Sequence, residues 1–212
     1  MNRTELKALA KEQIKGKIGK LFVINFIIVL VSFGASFICS LIPFVGSILP
    51  SVFVSAPFAL SMIMIYLTIA SGNDINVSDA FSGYNNFWGA FKVNFLVGLF
   101  TALWSLLFVI PGIVKSYSYS MAMYILAENP EMGALDAITK SRKMTDGHKM
   151  ELFVLGLSFI GWSILVAVTF GIAAIWVVPY AQTTYANFYK KLKEEFEPAP
   201  APVEASFTEK EK

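Results

Sequence analysis

The sequence predicts an all-α protein, a polytopic transmembrane helical bundle of about six spans arranged as three hairpins with cytoplasmic amphipathic helices. Three observations predict it. Of the 212 residues, 56% are hydrophobic and 15% charged, and the mean hydropathy is +0.61. Soluble domains carry about 25% charged residues, so too few polar side chains are present to cover a water-exposed surface. Charge-free runs recur along the chain, and a membrane crossing needs about 20 such residues. Finally, the basic residues gather in alternate segments, the pattern that the positive-inside rule produces.

Residues 1–20 read as a basic amphipathic helix: Leu6, Leu9, Ala10, Ile14 and Ile18 recur at helical spacing among Arg3, Lys7, Lys11, Lys15, Lys17 and Lys20. Such a helix is expected to lie apolar face down on an anionic membrane surface. The membrane domain occupies 21–193, beginning with a charge-free span from Leu21 to Ile42. This span is too long for the apolar core of a signal peptide. Pro43, Gly46 and Pro50 mark a turn, and a second run extends to Ala70. Small residues recur every fourth position on both sides, at Ser32, Ser36 and Ser40 and at Ser47, Ser51, Ser55 and Ala59. Such stripes let membrane helices pack closely.

The segment 76–92 mixes polar residues with Tyr84, Phe87 and Trp88, a composition suited to the headgroup level. A third span is expected from Val93 to Ile110, broken by Pro111 and Gly112, with a short return leg from Ile113 to Ala127. Asn129, Pro130 and Glu131 then read as a helix start, with Gly147 as its stop. On that helix Ala134, Leu135 and Ile138 define one face and Asp136, Lys140 and Lys143 the other. No charge occurs from Leu152 to Tyr189, enough for two spans turning near Phe170 and Gly171, before Lys190, Lys191 and Lys193. Residues 194–212 read as a disordered, acidic, Pro/Ala-rich tail.

All Lys and Arg except Lys115 fall in 1–20, 71–92, 128–151 or from Lys190 into the tail. With six spans both termini are therefore cytoplasmic; merging the short fourth leg into the third would put a basic loop outside. A threefold repeat is also expected. Lys7-Ala8 precedes Lys20, Asp79-Ala80 precedes Lys92 and Asp136-Ala137 precedes Lys149 at one interval, and Trp104 and Trp162 follow matching Gly-Leu motifs.

Candidate chemistry is sparse. No ionisable residue lies mid-span, which argues against a proton-coupled pump. The single cysteine, Cys39, can form no intrachain disulfide, and the lone His148 has no second histidine with which to build a metal site. No phosphate-binding glycine loop or cofactor motif is present, and a formal net charge of +2 does not suggest nucleic acid. Two polar seams remain: Tyr117, Ser120 and Tyr124 on the fourth leg, and Gln182, Tyr185 and Tyr189 on the sixth. They read either as interhelical ties or as the lining of a cavity for a neutral or amphiphilic ligand. A cytoplasmic docking motif of Asp136, Ser141, Arg142, His148 and Lys149 is the other candidate.

The stretches Ile110-Pro111-Gly112-Ile113-Val114-Lys115-Ser116-Tyr117-Ser118-Tyr119-Ser120, Tyr124 to Glu131, Lys140-Ser141-Arg142 and Gly147-His148-Lys149 resemble the bacterial integral membrane proteins of domain-of-unknown-function nine-seven-five. The resemblance implies a bacterial plasma-membrane protein and transfers no activity. The Ser-Arg to Gly-His-Lys segment also looks like the membrane domain of glycerophosphodiester phosphodiesterases, whose soluble catalytic barrel has no counterpart here. The resulting expectation is a non-enzymatic scaffold or accessory protein without cofactor. Its partners are the lipid bilayer and a membrane or cytoplasmic protein, its oligomeric state is open, and a channel or carrier is the alternative.

Overall fold

The computed structural model describes residues 2–40, 54–107 and 109–197, all of whose regular elements are helical. The expected turn at Pro43, Gly46 and Pro50, with Ser47 and Ser51 of the second small-residue stripe, lies outside them, as does 198–212. The helices are α1 (Arg3–Gln13), α2 (Ile18–Ser40), α3 (Ala56–Ala70), α4 (Phe87–Leu107), α5 (Val109–Tyr119), α6 (Ala122–Glu128), α7 (Ala134–Met144), α8 (Lys149–Leu157), α9 (Ile160–Val168) and α10 (Ala174–Phe196). A 3₁₀ segment, Val77–Asn86, leads into α4.

Among the described residues three helical stretches are long and apolar enough to cross a membrane: Ile18–Phe37, Val77–Leu106 and Lys149–Val168. A shorter apolar helix spans Ala56–Ala70. The long stretches turn few side chains inward; Phe33 and Phe37 of α2 are exposed, as are Leu106 of α4 and Val168 of α9. Apolar surface this extensive is foreign to a soluble monomer and marks a face made for lipid or protein.

The polar segments collect in one layer, joined by side chains from distant parts of the chain. Lys20 pairs with Asp74, Lys140 with Glu197 and Lys193 with Glu128. Gln13 donates to the Ala70 carbonyl at 2.9 Å and Asn86 to the Pro130 carbonyl at 2.8 Å.

Several local expectations are corrected. The N-terminal helix ends at Gln13, with Gly16 turning the chain at a φ of 82°, and Ile18 begins α2. Most of its apolar face turns into the protein: Leu6, Ala10 and Ile14 are buried where α1 packs on α10, while Leu9 is exposed. Asn2 caps the helix, its side chain accepting the Thr4 N–H at 3.1 Å.

Pro111 and Gly112, expected as a turn, instead sit in the first turn of α5, which begins at Val109. Proline is tolerated there because its missing N–H has no intrahelical acceptor. Gly112 meets α4 so closely that an added Cβ would strike Ser105. The fourth leg therefore occupies 109–128, as α5 and α6 with a break at Ser120 and Met121, rather than 113–127.

Asn129 closes α6 instead of opening α7: its side chain donates to the Ile125 carbonyl at 3.0 Å, and Gly133 is the N-cap of α7. The buried face of α7 is Ala137, Ile138, Ser141 and Met144, while Leu135 is exposed. Gly147 stops this segment with a φ of 82°, as expected. At the other end α10 continues through Glu194 and Glu195 to Phe196, so the helix extends past the boundary expected at 193.

A pattern of burial recurs at the starts of three helices, in a register other than the one expected for the repeat. Leu21 and Ile24 in α2, Ala90 and Val93 in α4, and Leu152 and Leu155 in α8 are all 1% exposed or less. Each pair stands at the same two positions from its helix start. Helices α1 and α7 are each 11 residues long and each is followed by a left-handed glycine, Gly16 or Gly147. Their starts place the first and third units two residues out of the expected Lys7 to Asp136 match. The middle unit departs, because its 3₁₀ segment runs straight into α4.

Candidate functional site

The two seams meet in part. Tyr124 of α6 and Tyr189 of α10 are buried and stack with ring centroids 5.3 Å apart. Tyr185 and Tyr117 converge on Gly156 of α8, whose missing side chain leaves room for both hydroxyls: a Cβ there would lie 3.3 Å from one and 3.8 Å from the other. Ser120 and Gln182 do not join them. Ser120 is exposed and donates to the Tyr117 carbonyl within its own turn, and Gln182 faces outward.

At one end of the seam a charged cluster forms that the sequence did not single out. The Tyr189 hydroxyl donates to the Glu128 carboxylate at 2.8 Å, and Lys193 pairs with the same carboxylate. Two residues before Tyr189, the buried Asn187 amide donates to the Gln13 side chain at 2.7 Å, tying α10 to α1. Only the positions of Glu128 at a helix end and of Asn187 in an apolar run gave a signal, since their partners are remote in sequence.

The docking motif divides in two. Ser141 is fully buried and serves the break between α5 and α6, donating to the Ser118 carbonyl at 2.8 Å and accepting the Met121 N–H at 3.2 Å. Thr145 also donates toward Ser118, at 3.3 Å. The other members lie at the surface. His148 stands between two carboxylates, Glu151 at 3.2 Å from Nδ1 and Glu195 at 3.5 Å from Nε2. Lys149 pairs with Asp146 at 3.0 Å and holds that carboxyl below the usual carboxylate range. Asp136 and Arg142 are exposed.

Lys115, expected at the far end of the bundle, instead lines a polar cleft of about 360 Å³ with Thr139, Arg142, Lys143, Asp146 and Lys149. Its ammonium also lies 4.6 Å from the Trp104 ring centroid. Among the described residues, further cavities open beside α1, α2 and α10, and Tyr117, Tyr124 and Tyr185 line neither these nor the polar cleft. Among the described residues no group of three or more His, Cys, Asp or Glu is placed to hold a metal ion.

The arrangement can bind and brace. No curated protein and no solved structure matches the chain. A family model described as protein of unknown function (DUF975) matches residues 1–117 and 106–195. The chain, with nearly all of its described helices inside those two stretches, belongs to that family.

Proposed function

We propose that this chain is an integral membrane protein of a bacterial plasma membrane and acts there as a non-enzymatic scaffold or accessory protein. Its six legs are α2, the run ending in α3, α4, α5 with α6, α8 with α9, and α10, paired as three hairpins. Both termini lie on the cytoplasmic side. The observation that carries this reading is the use made of the polar residues. Ser141, Tyr189 and Asn187, buried in the helices, tie elements together, while Thr139, Arg142 and Lys143 of α7 stay open beside an exposed Leu135. A braced helix with an apolar residue amid cations suits docking of a membrane or cytoplasmic protein.

Photo-crosslinking in cells from Leu135 and Arg142, at native expression, tests the docking face. A discrete heteromeric product is expected; none from either position would overturn the scaffold reading. Orientation is read separately on a Cys39→Ala background. A cysteine at Phe170 should label from outside, and one at Leu135 only after permeabilisation.

A second reading, a carrier for a small neutral or amphiphilic solute, is favoured by one observation. The Thr101 and Thr183 hydroxyls are buried without a hydrogen-bond partner among the described residues, and such groups mark places where a polar guest would be stabilised. Solute uptake into proteoliposomes, abolished by Thr183→Val, would establish it.

A further inference from the structure

Two cavities beside α1 share a wall and differ in character. The first, about 650 Å³, is polar and lined by Asn2, Arg3, Thr4, Lys7, Lys11 and Ser158. The second, about 460 Å³, is apolar and lined by Ile14, Ile18, Trp162, Trp176 and Val177, with Lys11 and Lys15 at its rim. Lys11 and Tyr180 belong to both, so the two form one cleft between α1, the start of α2, α9 and α10.

The charges of the polar half are uncompensated. Arg3, Lys11 and Lys15 make no ion pair among the described residues. The acid of α1's first turn, Glu5, is engaged by Lys191 and by the Asn2 amide. Lys7 reaches into the wall, donating to the Ser158 carbonyl at 3.1 Å with its ammonium 4.3 Å from the Phe159 ring centroid. Three cations around a cleft open to solvent repel one another until an anion enters. The apolar half carries two tryptophans and a tyrosine, side chains that sit where lipid headgroups meet acyl chains.

We propose that this cleft binds one anionic phospholipid, its phosphate among Arg3, Lys7 and Lys11 and one acyl chain along Ile14, Ile18, Trp162 and Trp176. The proposal rests on the reading of the chain as membrane-embedded. A headgroup lacking net negative charge leaves the cations unpaired, and a free phosphate leaves the apolar half unfilled. Lipid is therefore the occupant that satisfies both halves. Burial and the neighbouring Arg3 both push the Lys7 ammonium below its usual range, and a bound phosphate opposes both effects.

The full chain is solubilised in mild detergent and offered equal phosphatidylglycerol and phosphatidylcholine, and bound lipid is counted by native mass spectrometry. Retention of phosphatidylglycerol at least tenfold over phosphatidylcholine is expected. The triple variant Arg3→Gln, Lys11→Gln, Lys15→Gln should lose that preference, and Trp176→Ala should reduce retention of the lipid itself. Phosphatidylglycerol with a photoreactive acyl chain should label the peptide containing Trp162 or Trp176. Equal retention of the two lipids, labelling confined to other peptides, or displacement of the lipid by millimolar inorganic phosphate would overturn the proposal. Carbonate extraction of the same membranes separates the two ideas: a chain that resists extraction but shows no lipid preference sinks only the lipid site. A chain released by carbonate sinks the membrane reading beneath it.

Discussion

The Lys7 ammonium donates to the backbone carbonyl of Ser158, 151 residues away, where the helical path between α8 and α9 is interrupted. A carbonyl at a helix C-terminus has no intrahelical donor, and a cation is the favoured partner at that end. Lys7→Met is expected to lower stability by about 1 kcal/mol, a figure kept small because Lys7 is partly exposed. Lys7→Arg should retain most of the contact. Thermal unfolding in detergent of the two variants beside the parent measures the difference.

Ser141 performs the same service at the break between α5 and α6, but from a fully buried position. Ser141→Ala leaves a buried N–H and weakens the capping of a buried carbonyl, at a cost of about 2 kcal/mol. Thr145 already reaches the same carbonyl. Ser141→Ala with Thr145→Val should therefore cost more than the sum of the singles, a coupling that a double-mutant cycle measures.

Tyr189 has two separable contacts. Tyr189→Phe keeps the ring against Tyr124 and removes only the bond to Glu128, with an expected loss of about 1 kcal/mol. Tyr189→Ala empties the site as well and should cost about 3 kcal/mol or more. If the phenylalanine variant proves as damaging as the alanine, the ring contact is not what holds α6 to α10.

Acid should loosen the polar layer. The hydrogen bond from Lys20 holds the Asp74 carboxyl below its usual range, and the bond from Lys140 does the same for Glu197. A carboxyl depressed in the folded state stabilises it above the unfolded pKa, and that contribution is lost as pH falls through the folded value. Stability should be level from neutral pH down to about 5 and decline below about 4. Lys20→Gln with Lys140→Gln should flatten the acid limb, which unfolding across pH at constant ionic strength will read.

The glycines test the close approaches. A Cβ on Gly83 would strike the Pro57 carbonyl of α3, whereas one on Gly98 meets nothing within 4 Å. Gly83→Ala should destabilise by about 1–3 kcal/mol through forced backbone movement. Gly98→Ala should be neutral or mildly stabilising, because alanine favours helix. Parallel melts of the two variants separate packing from propensity.

The long apolar helices were legible because uncharged runs of that length stand out in any sequence, and the glycine stop at Gly147 was legible because few other residues adopt its backbone. The breaks within legs were not. Pro111 fits the first turn of a helix as well as it ends one, so Pro-Gly did not locate the turn. Asn129 caps either end of a helix, and only the Ile125 carbonyl decides which. The apolar face of α1 has the same spacing whether it meets lipid or α10, and Leu6 and Ala10 carry no mark of their partner. Of the candidate site, the tyrosines are brought together through packing, while the Glu128 and Gln13 contacts join segments no local pattern relates.

The closure of α1 by α10 dictates an order of assembly. Helix α10 follows every other described helix along the chain, so during synthesis Leu6, Ala10 and Ile14 are made long before the surface that covers them. Until then the apolar stripe of α1 lacks its cover, so this contact joins the two ends of the described chain and can form only late in synthesis.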